Sequence, residues 1–136
     1  PKTMQQAPHY TDVVHDVAAY LQAQAALARE AGIRHIALDP GIGFGKTVAH
    51  NLEILARLRE FAALGYPLLL GPSRKSFLGK LPGAAVDERR LEGTIAACVV
   101  AALNGASVLR VHDVAECKRA LCVVDAIRAA TREAAS

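Results

Sequence analysis

The chain has few of the residues that mark several common protein classes. It contains three cysteines, an odd number without CxxC spacing, which argues against a disulfide framework and a zinc site: Cys98, Cys117 and Cys122. No apolar run approaches the roughly 18 residues of a membrane-spanning helix, and no signal-peptide pattern opens the sequence. The default expectation is a cytoplasmic protein in a reducing compartment.

The charged residues show no strong bias. A net charge of +3 is spread over many segments of the 136 residues, so it is weak evidence for nucleic-acid binding. It suits a small anionic ligand better, and simple solvation of helix faces explains it equally well. The chain is 52% hydrophobic and 21% charged, which is enough apolar material for a packed core. Because no low-complexity linker divides it, we expect one domain or part of one.

Apolar periodicity predicts alternating helices and strands. Helical spacing that ends at glycine or Asn-Gly predicts helices, and short apolar runs predict buried strands. A last helix is predicted to begin at Asp113, which forms an Asp-x-x-Glu capping box with Glu116. The stretch 72–89 is long enough to be a functional loop. The predicted helices are 11–31, 51–64 and 90–103, and the predicted strands are 33–38, 67–71 and 107–111.

The order of these elements predicts an α/β fold with parallel strands and right-handed helical crossovers. Three parallel strands leave two open sheet edges, which makes a poor free-standing domain. The sequence also begins with Pro1 rather than methionine, whereas its last residues decay into a polar, alanine-rich helix. We therefore expect the C-terminal half of a (β/α)8 TIM barrel, about strands 6–8 with flanking helices, with its N-terminal half missing.

Two loops that follow predicted strands concentrate polar residues at strand carboxyl ends, where α/β proteins keep their chemistry. The first loop is Asp39-Pro-Gly-Ile-Gly-Phe-Gly-Lys-Thr47. It is not a phosphate-binding P-loop, because Pro40 stands where the first glycine belongs, and its glycines are mis-spaced for a dinucleotide fold. Asp39 can accept two hydrogen bonds from a flat, amidine-like edge of a heterocycle. The alternative interpretation of Asp39 is a turn cap.

The second loop, Gly71-Pro-Ser-Arg-Lys-Ser-Phe77, places two cations directly after a buried strand. Lys75 can donate to a ring oxygen or nitrogen and can hold positive charge near a leaving group. Ser76 is predicted to start a short helix and to bind a carboxylate through its hydroxyl and backbone N–H. Arg74 is equally compatible with a position that merely faces solvent.

The third predicted strand ends in Arg110-Val-His112-Asp. Strand alternation puts Arg110 and His112 on the same side of the sheet at its carboxyl end. An arginine and a histidine that converge on one point form an anion site, which phosphate or pyrophosphate fits. The other histidines lack such company and are expected to be structural or exposed: His9, His15, His35 and His50.

Taken together, these segments resemble the dihydropteroate synthase family. The opening residues 1–5 are similar to the tail of that family's fifth-strand motif. The resemblance covers essentially the whole chain at matching spacing, and it identifies residues 1–136 as a partial pterin-binding barrel domain. The segments that carry it are Leu38-Asp-Pro-Gly-Ile-Gly-Phe-Gly-Lys-Thr47, His50-Asn-Leu52, Gly71-Pro-Ser-Arg-Lys-Ser-Phe77, Gly93-Thr94 and Leu109-Arg-Val-His-Asp-Val114.

The resemblance implies a magnesium-dependent transferase of folate biosynthesis, the target of sulfonamides. Such an enzyme condenses 6-hydroxymethyl-7,8-dihydropterin pyrophosphate with para-aminobenzoate to give 7,8-dihydropteroate and pyrophosphate. It further implies a homodimer formed through the late helices, no nucleic-acid or membrane partner, and a Mg²⁺ ligand in the missing N-terminal half. Because half of the pocket is missing, the isolated chain is expected to have little or no activity.

The resemblance also assigns roles to residues of this chain. It puts Asp39 at the amino and ring N–H edge of the pterin and Lys75 at its carbonyl side. It puts Arg110 and His112 on the pyrophosphate, with the Arg110 guanidinium able to stack on the pterin. The catalytic candidates are therefore Lys75, Arg110 and His112. Further substrate-binding candidates are Gly71, which allows close approach of the pterin, and Phe44 and Ser76, which line the aminobenzoate pocket with Ser76 at the carboxylate.

Two alternatives stay open at this point. Pterin-binding methyltransferases that act on methyltetrahydrofolate share the barrel and the pterin-cradling aspartate. They lack the Ser-Arg-Lys-Ser and Arg-Val-His signatures that this chain carries at 73–76 and 110–112. A non-catalytic half-barrel paralogue is also compatible with the sequence.

Overall fold

The structure is a computed structural model that describes residues 10–83 and 90–133. Its elements alternate along the chain, as the apolar pattern predicts for an α/β protein. In chain order they are α1 (Val13–Glu30), α2 (Val48–Ala56), α3 (Leu58–Ala62), β1 (Leu69–Leu70), a 3₁₀ helix (Ser76–Lys80), α4 (Leu91–Leu103), β2 (Val108–Leu109) and α5 (Val114–Glu133).

The sheet is parallel, and its strands are shorter than predicted. β1 and β2 pair with Leu69 opposite Val108, and a single parallel bridge joins Leu38 to Leu68. The predicted strand 33–38 therefore pairs with its neighbour in the sheet only at its last residue, Leu38. Its partner in the sheet is the segment that begins at residue 67. A turn at Gly65, where φ is +81°, stands just before that segment, so no extended backbone precedes residue 67 to pair with residues 33–37.

Local signals set most helix boundaries. The Asp12 carboxylate caps α1 by accepting hydrogen bonds from the backbone N–H groups of Val14 and His15, each at 2.9 Å. The predicted helix 51–64 is wrong in two respects. It begins earlier, where Thr47 and His50 cap α2 reciprocally, and it breaks into α2 and α3 at Arg57, whose φ of −102° and ψ of 21° are not helical. No glycine or proline marks that break.

The core lies between the sheet and the helices on one side of it. Leu68 and Leu70 are fully buried and belong to one core cluster with Ile54, Leu58 and Phe61, which are also fully buried. Alternation along a strand explains why residues two apart share this face. Two large apolar residues of α1 lie outside this core and are exposed, Tyr20 at 63% and Leu27 at 56%.

The opposite side of the sheet is open to solvent in the described part of the chain. Ile33 on the first extended segment is 50% exposed, and Val108 on β2 is 46% exposed. Further residues at alternate positions of these two segments are also exposed: His35, Ala37 and Arg110. The sheet therefore has one covered face and one uncovered face that carries both apolar and charged side chains.

Two further observations concern the helices. Cys98 of α4 and Cys117 of α5 are buried against each other, and burial raises the pKa of the Cys98 thiol to about 12, whereas Cys122 is exposed. Across residues 10–83 and 90–133, every helix is too short or too polar to cross a membrane.

Candidate functional site

The chemistry-bearing residues follow the three extended segments at the same edge of the sheet. Leu38, Leu68–Leu70 and Leu109 lie side by side in parallel, so the segments that follow them emerge together. These segments begin at Asp39, Gly71 and Arg110. The fold thus brings together the three loops in which the sequence predicts function.

The first loop is folded around its own polar groups. Asp39 Oδ1 accepts a hydrogen bond from the Gly41 N–H at 2.8 Å, which is the turn-capping role. Buried Asn51 accepts from the Gly43 N–H at 2.6 Å, and Lys46 Nζ donates to the Gly41 carbonyl at 3.0 Å. Burial lowers the pKa of Lys46, and the Asp39 charge opposes that shift. The Asp39 carboxylate remains exposed and can accept further hydrogen bonds.

Lys75 lies at the centre of the site. Its Nζ is 3.5 Å from the centroid of the Phe44 ring, a cation–π contact. Its alkyl chain crosses directly over Gly43, where an added Cβ would be 2.5 Å from Lys75 Cδ. Partial burial lowers the pKa of Lys75, the positive charge of Arg110 lowers it further, and Asp39 opposes both effects. Lys75 therefore interacts electrostatically with the first loop and with the end of β2.

Arg110 leaves the end of β2 and lies over the backbone at the end of β1. A Cβ added at Gly71 would be 3.1 to 3.5 Å from three atoms of the Arg110 guanidinium group. Glycine is therefore the residue that lets the guanidinium lie this close to the strand. Gly71 itself is buried, whereas Arg110 is exposed and presents its N–H groups to solvent.

His112 is held by Ser73, a residue to which the sequence pattern assigned no role. Ser73 Oγ accepts a hydrogen bond from the His112 backbone N–H at 3.1 Å and lies 2.9 Å from His112 Nδ1. In the neutral tautomer that carries its proton on Nε2, Nδ1 accepts from the Ser73 hydroxyl and Nε2–H is left as a donor. Ser73 is buried, at 6% exposure, so this contact fixes the orientation of the imidazole.

Two adjacent clefts contain these groups. One of about 320 Å³ is lined by Gly71, Lys75, Arg110 and His112, among others. The other, of about 520 Å³, lies between the first loop and α1, and its lining includes Asp39 and Phe44. The contact between Lys75 and Phe44 joins the two clefts.

Ser76 stands apart from both clefts. It opens the 3₁₀ helix, as predicted, and its side chain is exposed. Arg74, which the sequence left open as a solvent-facing residue, is bound instead. Its guanidinium donates to both carboxylate oxygens of Asp113, at 2.9 and 3.2 Å. Nothing local in the sequence signals this pair, because its members lie 39 positions apart in the chain.

The described residues contain no preformed cluster of metal-binding side chains. Mg²⁺ takes oxygen ligands in octahedral geometry, and several of these are commonly waters or substrate phosphates. In the ranges 10–83 and 90–133, no group of three or more His, Cys, Asp or Glu side chains is arranged to hold a metal ion. Asp39 is a single carboxylate, and one of its oxygens is committed to the Gly41 N–H.

Comparison with known proteins gives consistent results. Residues 1–112 match the family described as "Pterin binding enzyme". The dihydropteroate synthase of Escherichia coli (strain K12) is 49% identical over 128 residues, which are 93% of this chain and 45% of that protein. Dihydropteroate synthase from Thermus thermophilus, solved in complex with 4-aminobenzoate and in complex with 6HMPPP, is 46% identical with a TM-score of 0.89. In each complex the match covers 94% of this chain and about half (52% and 51%) of that chain.

The chain thus spans about half the length of the relatives it matches. The matched residues include both loops and the end of β2 through His112. Sequence identity and structural similarity agree over nearly all of this chain, and the family match covers well over half of it. This chain belongs to the pterin binding enzyme family.

Proposed function

We propose that this chain is the C-terminal part of a dihydropteroate synthase. In the complete protein the reaction joins para-aminobenzoate to 6-hydroxymethyl-7,8-dihydropterin pyrophosphate and releases pyrophosphate. The observation that carries the proposal is the position of Lys75, in contact with the Phe44 ring and within electrostatic reach of both Asp39 and Arg110. Complexes of similar synthases with 4-aminobenzoate and with 6HMPPP support the two substrates.

The proposed pterin site combines a hydrogen-bond acceptor with a hydrogen-bond donor. Asp39 accepts from the amino and ring N–H edge of the pterin, and the Lys75 ammonium donates to its carbonyl side. Gly71 has no side chain, so the pterin and the Arg110 guanidinium can both approach the backbone there. In this proposal the Phe44 ring lines the aminobenzoate pocket, and Ser76, which is exposed and lies outside both clefts, meets the carboxylate of the substrate.

The proposed reaction breaks one bond and forms one. The bond between the pterin methylene and the pyrophosphate oxygen breaks, and the electron pair leaves with pyrophosphate. The electron-rich pterin ring stabilises the methylene cation, the amine nitrogen of aminobenzoate attacks it, and the new ammonium loses a proton. Arg110 and the Nε2–H of His112 donate to the departing pyrophosphate, so their contribution is charge stabilisation and orientation.

The remaining parts of the proposal concern the whole protein. The uncovered face of the sheet suits a (β/α)8 barrel in which this chain supplies about strands 6–8. A Mg²⁺ ligand in the N-terminal half of the complete protein is part of the proposal, and the residues at 10–83 and 90–133 contain no cluster of three or more His, Cys, Asp or Glu side chains that could hold a metal ion. Exposed apolar side chains on α4 and α5 support a homodimer through the late helices: Leu103, Val123 and Ile127. The cytoplasm, expected from the cysteines, remains our proposed location.

The test is a condensation assay on the complete protein that contains this segment. We expect formation of 7,8-dihydropteroate from the two substrates, and no methyl transfer from methyltetrahydrofolate. Replacing Lys75 or Asp39 with alanine should weaken pterin binding at least tenfold, as expected for a lost charged hydrogen bond of about 1.5–3 kcal/mol. The isolated chain should show little or no turnover.

Arg119→Ala is the matched control, because Arg119 is an exposed cation of α5 that pairs only loosely with Glu116, at 3.5 Å. It should leave both binding and turnover unchanged. Absence of condensation by the complete protein would refute the proposed function. Pterin affinity unchanged in both the Lys75 and Asp39 variants would refute the proposed roles alone.

A further inference from the structure

Arg74 has a backbone conformation that an arginine rarely adopts. Its φ is +59°, in the left-handed region that favours glycine. The Lys75 N–H donates to the Pro72 carbonyl at 3.3 Å, so Arg74 is the third residue of a turn over 72–75. In the turn types that need a positive φ there, glycine is the usual residue. An arginine at this position costs free energy that its contacts must offset.

The start of α4 holds the main chain of Arg74 on both sides. Its N–H donates to the hydroxyl of Thr94, a fully buried residue of the first turn of α4, at 3.1 Å. Its carbonyl accepts a hydrogen bond from Arg90 Nη1 at 2.9 Å, immediately before α4. Arg90 is the other non-glycine residue with a positive φ in the described part of the chain, at +46°. The turn is therefore fixed from the start of α4.

The side chain of Arg74 is fixed from the start of α5. Its Nη2 and Nε donate to the two carboxylate oxygens of Asp113, at 2.9 and 3.2 Å. A bidentate pair of this kind fixes orientation as well as distance. The Asp113 side chain is only 14% exposed, so the pair is shielded more than an ordinary surface ion pair.

The residues on either side of Arg74 are Ser73 and Lys75, and we call their side chains the two arms of the site because each reaches a different part of it. Ser73 holds the His112 imidazole and backbone, and Lys75 crosses Gly43 to reach the Phe44 ring. A left-handed residue between them sets the direction in which each arm leaves the turn. Any loosening of the turn therefore displaces both arms together.

Arg74 borders the cleft of about 320 Å³, but its guanidinium is bound to Asp113. We propose that Arg74 is a positioning residue, which through Asp113 and Thr94 holds Ser73–His112 and Lys75 in their working orientations. This inference rests on the proposed synthase function, because its main readout is condensation. It predicts that Arg74 acts through Asp113, so that the effects of losing either partner are coupled.

The test is a double-mutant cycle in the complete protein with Arg74→Gly, Asp113→Asn and the double variant. Glycine keeps the positive φ and removes the ion pair, so Arg74→Gly should unfold at the same temperature as the parent or above it. Each single variant should lower kcat and raise the KM for the pterin substrate, with a combined loss in kcat/KM of about tenfold. The double variant should lose no more than the worse single variant.

Additional variants keep the inference falsifiable if Asp113→Asn destabilises the protein. Arg74→Lys keeps the charge and loses the bidentate fork, so it should behave like Arg74→Gly, whereas Arg119→Ala should behave like the parent. Multiplying losses in the double variant, or an Arg74→Gly enzyme with parental kcat and KM, would overturn the positioning role. A parent protein that fails to condense its substrates would refute the synthase proposal instead. Pterin binding, measured by calorimetry, then decides whether Arg74 and Asp113 are coupled.

Discussion

At the scale of the residue, the position of Lys75 depends on four neighbours that are distant from it in the chain, one of them a glycine. Its alkyl chain lies over Gly43, its ammonium lies over the Phe44 ring, and its charge interacts with those of Asp39 and Arg110. None of these neighbours is adjacent to it in the chain. Glycine is required at position 43 for two reasons. Its backbone has φ +79°, which favours glycine, and a side chain there would occupy the space through which the Lys75 chain passes.

Gly43→Ala is therefore expected to impair the site specifically. The added Cβ, 2.5 Å from Lys75 Cδ, forces the lysine off the Phe44 ring. We expect the KM for the pterin substrate to rise about tenfold, equivalent to about 1.4 kcal/mol. Steady-state kinetics of the complete protein measures this rise.

Gly32→Ala is the matched control for that substitution. Gly32 has a similar φ, +86°, but a Cβ there meets nothing within 4 Å. Both variants should lose about 1–2 kcal/mol of stability from left-handed strain, measured by denaturant unfolding. Only Gly43→Ala should change KM, and an equal KM in both variants would contradict the close contact between Gly43 and Lys75.

At the scale of the element, Arg57 joins three helices. It lies at the break between α2 and α3, and its guanidinium donates to Asp12 before α1, Glu53 in α2 and Glu60 in α3. Hydrogen bonds to Glu60 and Glu53 raise the pKa of Arg57 further. The hydrogen bond from the His15 backbone N–H has the largest lowering effect on the pKa of Asp12, and the contact with Arg57 lowers it further. Arg57 also lowers the pKa of Glu60.

The pH dependence of this junction follows from those shifts. A carboxylate whose pKa is lowered by folding stabilises the folded state above its ordinary pKa, and that contribution is lost as pH falls. The ordinary values for Asp12 and Glu60 are 3.8 and 4.5. The melting temperature of Arg57→Met should therefore lie below that of the parent at pH 7, and the difference should shrink as pH falls from about 5 to about 3.

Thermal unfolding of the complete protein at several pH values measures that difference. Arg119→Met is the control, because it removes an arginine whose carboxylate partner is 3.5 Å away on an exposed helix surface. It should change the melting temperature little at any pH. A deficit of Arg57→Met that stays constant across the acidic range would show that packing, and not the carboxylates, explains the role of Arg57.

The elements that were predictable from the sequence are those with local signals. Gly32 and the Asn104-Gly105 pair end helices where predicted, and Asp113 immediately precedes α5. Strand length was not predictable, because pairing depends on a neighbour that is distant in the chain. The break at Arg57 carries no glycine or proline, so propensity gave no warning of it. In the site, Arg110 and His112 line the same cleft, although both lie beyond the end of β2 at Leu109 and not on the strand, as alternation had assumed. Ser73 and the Arg74–Asp113 pair depend on contacts across 39 residues.

At the scale of the whole molecule, the uncovered sheet face and the outer faces of the late helices are two separate apolar surfaces. Ile33 and Val108 lie on the sheet face, while Val123 and Ile127 lie on α5. In our proposal different parts of the protein cover these two surfaces. The rest of the barrel covers the sheet face, and a second subunit covers the outer face of the late helices. An exposed apolar sheet face with unpaired edges is prone to association when it is left open.

The isolated chain of 136 residues should therefore associate through its sheet face. We expect it to elute from gel filtration above the mass of a monomer, with the fraction of larger species rising with concentration. Val108→Lys puts a charge on the open face, where Val108 is 46% exposed, and should reduce this association. Val123→Lys on α5 adds the same charge at a position 60% exposed and should leave sheet-mediated association in place. A stable monomer at all concentrations would contradict the half-barrel proposal, and loss of association in Val123→Lys alone would assign it to the helices.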